Sequence, residues 1–115
     1  MFQKLLIFQK IYDFMVYCDS LIVKFPKAKK YTLGEKITNN CLLCLHYVVE
    51  LNLNKQDLVL SKKLETQINF LRILIRFAKD VQCISLKQYD VCCDKMCEIL
   101  RLMVGWQKSF SRQEK

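Results

Sequence analysis

Glycine and proline are scarce in this sequence, with two Gly and one Pro among 115 residues. A many-stranded β fold needs tight turns, and those turns depend on glycine, proline and small polar residues. Long stretches of Leu, Ile, Lys, Gln and Glu favour helices instead. We therefore predict an all-α fold, and a chain of this length has room for a single domain, residues 1–115.

The sequence also has few of the residues that catalytic sites use. Its single histidine, His46, has no second histidine, carboxylate cluster or glycine-rich loop to complete a site. A cysteine nucleophile relying on that histidine stays open, but an enzyme is the weakest of the interpretations. We predict no catalytic residue, no cofactor and no small-molecule substrate.

Long uncharged apolar runs are absent as well. No run approaches the length of about 18 residues that a membrane-spanning helix requires. The start of the chain, Met1-Phe-Gln-Lys-Leu-Leu-Ile-Phe-Gln-Lys10, has a short apolar run without a following small-x-small cleavage site. We expect it to be the first helix of a cytoplasmic protein that does not bind a membrane.

The seven cysteines, an odd number, lie almost entirely within apolar helical patterns. Buried free thiols in a reducing cell fit this distribution best. A zinc site between two helices is also geometrically conceivable, formed by Cys41, Cys44, Cys93 and Cys97. Natural zinc modules usually place such pairs on knuckles or loops, so small core residues are the favoured interpretation and no metal is predicted.

Apolar residues recur at three- and four-residue steps in four segments, a pattern typical of helices that pack against a core. The predicted helices span about residues 2–24, 32–52, 57–83 and 86–109. Short connections force neighbouring helices to run antiparallel. The predicted architecture is an up-down-up-down four-helix bundle.

Several helix ends carry local signals. Pro26 ends the first helix, because proline disfavours helical geometry in the residue before it. Thr32-x-x-Glu35 and Ser85-x-x-Gln88 have the pattern of capping boxes. In a capping box the two side chains each bond the backbone amide of the other residue. We therefore expect helices to begin at both sites.

The third predicted helix follows a polar turn over residues 52–56, with Asp57 or Ser61 as its cap. Its apolar residues leave only one polar sector, roughly 100° wide. Such a helix must bury two surfaces, one against its own chain and one against another subunit. Gly105 lies inside the fourth predicted helix, where glycine costs about 1 kcal/mol relative to alanine. Close approach of a neighbouring helix would explain a glycine at this position. The residues assigned to oligomer or core packing are Phe70, Ile73, Leu74, Phe77, Gly105 and Trp106.

Nineteen Lys and Arg against eleven Asp and Glu give a formal net charge of +8. This charge favours anionic partners without choosing among nucleic acid, acidic protein and anionic membrane. Arg72 and Arg76 are i, i+4 neighbours on the predicted helix. The repulsion between like charges so placed costs a few tenths of a kcal/mol unless an anion compensates. The candidate nucleic-acid contacts are Arg72, Arg76, Lys79, Lys27, Lys29 and Lys30.

Pairing within the chain is the competing interpretation for these cations. Arg76 can pair with Asp80, four residues along the same helix. Arg72 can pair with Asp94 or Glu98 on the fourth helix. The lysines after the first helix can equally form a solvated loop.

Three stretches together resemble one family. They are Phe25-Pro-Lys-x-x-Lys-Tyr-Thr-Leu-Gly-Glu-Lys-Ile37, Leu71-Arg-x-Leu-Ile-Arg-Phe-Ala-Lys-Asp80 and Ile84-Ser-Leu-Lys-Gln-Tyr89, followed by residues 99–106 with Gly-Trp near the end. With these stretches the chain resembles the accessory variability determinant (Avd) proteins of diversity-generating retroelements. Proteins encoded by intervening sequences in 23S ribosomal RNA genes are similar in fold and size.

The resemblance implies a non-enzymatic, basic, barrel-shaped homopentamer of four-helix bundles. It also implies binding to nucleic acid, RNA and also DNA, and to the retroelement reverse transcriptase, in support of adenine-mutagenic cDNA synthesis from template-repeat RNA. Arg72 and Arg76 fall on the family's paired arginines, and Lys27 and Lys30 on its basic positions after the first helix. Two alternatives stay open: a protein-interaction adaptor, and an intervening-sequence-type protein without a reverse-transcriptase partner.

Overall fold

The computed structural model describes the backbone of residues 2–53 and 57–113 and the side chains of residues 5–51, 53 and 57–108. The long helices in this part are α1 (Phe2–Ile22), α2 (Glu35–Leu53), α3 (Leu58–Asp80) and α4 (Leu86–Gln113). No strand occurs among the described residues. The all-α prediction is confirmed, while the turn predicted over residues 52–56 lies largely outside the described residues.

The helices pack as a four-sided bundle. Their main contacts join α1 to α2, α2 to α3, α3 to α4 and α4 back to α1. Short connections between successive helices produce this antiparallel arrangement. The molecule measures 51 × 23 × 19 Å, with its long dimension along the helices. None of the described helices is long and apolar enough to cross a membrane.

One continuous apolar core runs between the helices. Each helix contributes side chains spaced three or four residues apart, because that spacing returns to the same helix face. Fully buried examples are Ile7, Phe14, Ile37, Val48, Leu64, Ile75, Met96 and Met103. Burying one such side chain contributes about 1.5–3 kcal/mol. Leu74 and Trp106, assigned to packing from the sequence, both lie in this core.

The connection from α1 to α2 is helical rather than a loop. Pro26, with φ −54° and ψ 143°, precedes a single helical turn, Lys27–Lys29. A π-helical segment, Lys30–Gly34, then leads directly into α2. The carbonyl of Pro26 accepts hydrogen bonds from the amides of Lys29 and Lys30 at 2.8 and 2.9 Å, which starts the helical pattern.

The capping box predicted at Thr32 is wrong. The Thr32 hydroxyl donates to the carbonyl oxygens of Ala28 and Lys29, at 3.0 and 3.4 Å, and the Glu35 amide donates to the Thr32 backbone carbonyl. Because helical structure has already begun after Pro26, Thr32 lies inside it and its hydroxyl bonds back to the preceding turn.

The other two predicted caps are confirmed. The Asp57 carboxylate accepts from the Leu60 amide at 3.0 Å. The Ser85 hydroxyl oxygen accepts from the Gln88 amide at 3.1 Å, and the Gln88 side-chain oxygen accepts from the Ser85 amide at 2.9 Å. Each cap contributes about 1 kcal/mol to the stability of its helix.

α3 ends at Asp80, before the predicted end at residue 83. Gln82 adopts a left-handed backbone conformation with φ 66°. The amide of Cys83 then donates to the Ala78 carbonyl at 2.8 Å, and the amide of Gln82 to the Lys79 carbonyl at 3.0 Å. This pair of bonds is a Schellman motif, which closes a helix by satisfying its last carbonyl groups.

The two glycines have different surroundings. A Cβ atom added at Gly34 would lie 2.7 Å from Ile22 Cγ2, so the π-helical segment and the end of α1 approach closely there. A Cβ atom added at Gly105 would meet no neighbouring group within 4 Å in the described part of the chain. The close helix approach expected at Gly105 is therefore not made within one subunit.

We expect Gly34→Ala to lower the free energy of unfolding by roughly 1–2 kcal/mol, because the added methyl group overpacks against Ile22. Gly105→Ala is the matched control and should raise the free energy of unfolding by up to about 1 kcal/mol, because alanine favours a helix interior. Urea unfolding followed by circular dichroism measures both changes. Equal effects of the two substitutions would contradict the close contact at Gly34.

Candidate nucleic-acid interface

A basic strip, Arg72, Arg76 and Lys79, runs along the flank of α3 that faces α4. The three residues recur at steps of four and three, so they share one side of the helix. The Arg72 guanidinium donates to the Asn69 side-chain oxygen at 3.2 Å, and the Asn69 amide group donates to the Glu65 carbonyl at 3.0 Å. These bonds hold the Arg72 side chain along its own helix.

Carboxylates neutralise this strip only weakly. Arg76 Nε lies 3.9 Å from Asp80 Oδ2, and Lys79 Nζ lies 3.5 Å from Asp80 Oδ1. Two cations therefore share one exposed carboxylate, and exposed pairs contribute about 0–1 kcal/mol. The predicted pairing of Arg76 with Asp80 is present, but the strip keeps a net positive charge.

The pairing considered for Arg72 across the bundle is not formed. Glu98 pairs with Lys10 on α1, with 3.0 Å between Oε1 and Nζ. Asp94 makes no ion pair with Arg72 among the described residues. Among the described residues, Arg72 therefore has an amide oxygen as its partner and no carboxylate, which leaves its charge available to an external anion.

Tyr89, on the first turn of α4, adjoins this strip and was not among the predicted site residues. The Lys79 ammonium lies 4.6 Å from the centroid of its ring, within cation–π distance. A hydrogen bond with Cys93 raises the pKa of the Tyr89 hydroxyl, burial adds to the rise, and the charges of Arg76 and Arg72 oppose it. The phenol therefore keeps its proton at neutral pH.

The second predicted group, Lys27, Lys29 and Lys30, lies at the same end of the bundle. It occupies the helical entry to α2, which adjoins the C-terminal end of α3 because successive helices are antiparallel. Lys29 Nζ lies 5.8 Å from the centroid of the Phe77 ring. Burial raises the pKa of the Cys83 thiol, and the nearby charge of Lys29 opposes that rise. Both basic groups therefore lie near the C-terminal end of α3.

Phe70, Ile73 and Phe77 form an outward apolar face on α3. Their exposed fractions are 47%, 61% and 47%. Large apolar side chains grouped on one exposed helix face are typical of a protein interaction surface. The wide apolar sector predicted for this helix divides into a core side, which includes Leu74, and this outward face.

Four cysteines are buried in the core, each at most 2% exposed: Cys18, Cys41, Cys44 and Cys92. Hydrogen bonds with Cys41 and Cys92, together with burial, raise the pKa of Cys18. Burial, with a smaller effect of Cys41, raises the pKa of Cys44 to about 12. Buried thiols in an apolar setting pack as small core residues and react slowly.

The other chemical candidates from the sequence do not assemble into a site. Cys93 is half-buried and Cys97 is exposed, while the other two thiols of the zinc hypothesis lie in the core. No group of three or more His, Cys, Asp or Glu among the described residues could hold a metal ion. His46 is exposed, and its Nε2 lies 2.6 Å from Glu50 Oε1, one turn along α2.

The fold and this interface define a helical bundle protein with a basic end. A family model described as bAvd-like matches residues 5–110. The chain belongs to the bAvd-like family, which confirms the resemblance to Avd proteins. This is a family of accessory proteins and not a known enzyme class. A comparison with curated proteins finds no match.

We expect iodoacetamide at about pH 8 to label Cys97 first in the folded protein and to leave the core thiols unmodified. The pKa of about 12 for Cys44, against an ordinary value of 9.0, lowers its thiolate fraction roughly 10³-fold. Peptide mass spectrometry over a time course measures the order of labelling. In concentrated guanidinium, as a control, all seven cysteines should react. Rapid labelling of Cys44 before unfolding would show that the core is open.

Proposed function

We propose that this protein is the non-enzymatic accessory protein of a diversity-generating retroelement, binding RNA and DNA and associating with the reverse transcriptase during mutagenic cDNA synthesis. Membership in the bAvd-like family supports the accessory role. The seven free cysteines support a reducing, cytoplasmic setting. The observation that carries nucleic-acid binding is the basic end of the bundle.

Electrostatics supports this assignment. The chain has a net charge of +8. Among the residues that the structure describes, the strip of Arg72, Arg76 and Lys79 has one exposed carboxylate, Asp80, as its counter-charge. The repulsion between neighbouring arginines is relieved when a phosphate lies between them. Phosphate contacts release counterions and bind without reading sequence. The lysines after α1 extend the same positive surface.

We expect Arg72→Ala combined with Arg76→Ala to weaken binding to RNA and DNA of every sequence. The slope of log affinity against log salt concentration should flatten by about one to two units per binding subunit, because fewer counterions are released. Fluorescence anisotropy with a labelled RNA hairpin and a labelled DNA duplex, across a salt series, measures both quantities.

Lys62→Ala combined with Lys63→Ala is the matched control for that experiment. It removes the same charge from two exposed positions nearer the other end of α3. A much smaller loss of affinity is expected. If both double variants weaken binding equally, general attraction by the net charge accounts for binding and the basic strip does not.

The apolar face of α3 supports a second part of the proposal, a ring- or barrel-shaped homo-oligomer. Phe70, Ile73 and Phe77 remain exposed on one chain, and a second subunit would remove them from water. The number five rests on the resemblance to Avd proteins. In a ring the basic strip would repeat, so modest contacts from each subunit would add through avidity.

Ile73→Asp should shift the light-scattering mass of the purified protein from an oligomer toward a monomer, because a carboxylate would be buried in the interface. Val16→Asp is the control, since Val16 is also apolar and exposed but lies on α1. Circular dichroism establishes that both variants are folded. An unchanged mass for Ile73→Asp, or equal dissociation of the two variants, would exclude this face as the interface.

A protein-interaction adaptor is the second candidate function. The observation that favours it is the same apolar face, which lies next to Lys29 and Arg76 and would suit an apolar and acidic partner protein. An adaptor would show little nucleic-acid binding at physiological salt. The anisotropy series above therefore separates the two functions.

A further inference from the structure

Tyr89 places an uncharged hydrogen-bond donor among the cations of the basic strip. Its ring packs against the edge of the core, and the Lys79 ammonium lies 4.6 Å from the ring centroid. The adjoining α3 flank carries Arg72 and Arg76, whose charges reach the Tyr89 hydroxyl. The ring is therefore held in position by its packing and by Lys79, next to the flank of α3 that carries both arginines.

The partner of this hydroxyl can be exchanged. The thiol of Cys93, one turn further along α4, has the largest effect on this hydroxyl and raises its pKa through hydrogen bonding. A thiol is a weak hydrogen-bond partner. A phosphate oxygen is a charged acceptor, and hydrogen bonds to charged acceptors are shorter and roughly twice as strong as neutral ones. A phosphate held by the arginines would therefore displace Cys93 as the partner.

We propose that Tyr89 is a phosphate-binding residue, whose hydroxyl donates a hydrogen bond to a backbone phosphate of the nucleic acid that Arg72 and Arg76 attract by charge. This inference rests on the proposed nucleic-acid-binding function and adds a directional contact to it. The arginines attract the polyanion, and the fixed phenol determines where one phosphate lies. Lys79 acts as a positioning residue through the ring.

Removing the Tyr89 hydroxyl should affect nucleic-acid binding differently from removing an arginine. A neutral donor contributes to affinity but releases no counterion, so its removal leaves the salt dependence unchanged. Removal of an arginine changes the affinity and the salt slope together. A purely structural role would change the thermal stability of the bundle.

The test is Tyr89→Phe, which keeps the ring and its contact with Lys79 and removes only the hydroxyl. Binding of a labelled single-stranded RNA should weaken roughly tenfold, as for a lost hydrogen bond to a charged group. The slope of log affinity against log salt and the melting temperature should match the wild type. Tyr12→Phe, at an exposed tyrosine of α1, is the control and should bind as the wild type does.

Cys93→Ala is a second variant that does not depend on the first. It removes the competing partner of the Tyr89 hydroxyl, so we expect it to bind the same RNA at least as tightly as the wild type. Weaker binding of Cys93→Ala would overturn the proposed exchange of partners.

The possible outcomes distinguish failure of the Tyr89 inference from failure of the proposed nucleic-acid-binding function. Wild-type affinity for Tyr89→Phe, together with weak binding of the double arginine variant, overturns the role of Tyr89 and leaves nucleic-acid binding intact. A flattened salt slope or a lowered melting temperature for Tyr89→Phe overturns the direct contact. No RNA binding by the wild-type protein overturns both the function and the inference.

Discussion

Burial of one side of α3 determines the rest of this molecule's surface. Residues such as Leu64, Leu71 and Ile75 lie in the core, and a helix packed at native density cannot turn about its axis without exposing them. Because the helical step is constant, the outward apolar face and the basic strip take fixed directions once those residues are buried. This one packing constraint therefore determines the directions of the core side, the outward apolar face and the basic strip of α3.

The antiparallel connections then decide what adjoins the end of α3. The helical entry to α2 and the first turn of α4 meet there, bringing Lys29 to Phe77 and Tyr89 to Lys79. These residues come from three different helical segments. The basic end is thus a product of topology, and its Tyr89 ring packs against the same core that closes the bundle.

Local signals predicted much of the fold because they act over a few residues. The caps at Asp57 and Ser85 need only the next turn of helix, and both are present. The capping box predicted at Thr32 is absent because the same residues are also compatible with the interior of a helix. Helical structure already begins after Pro26, so the Thr32 hydroxyl donates to the Ala28 carbonyl. Tyr89 could not be assigned to the site from periodicity, because its role depends on side chains of another helix.

By itself, the sequence determined the all-α class, the bundle pattern, the charge and the family resemblance, since composition and helical periodicity are properties of neighbouring residues along the chain. The tertiary structure alone decided which apolar residues of α3 are buried and which of the described cations pair with carboxylates. It also decided that Tyr89 lies against the basic strip. Those outcomes depend on distances between helices, and such distances follow from how the core closes.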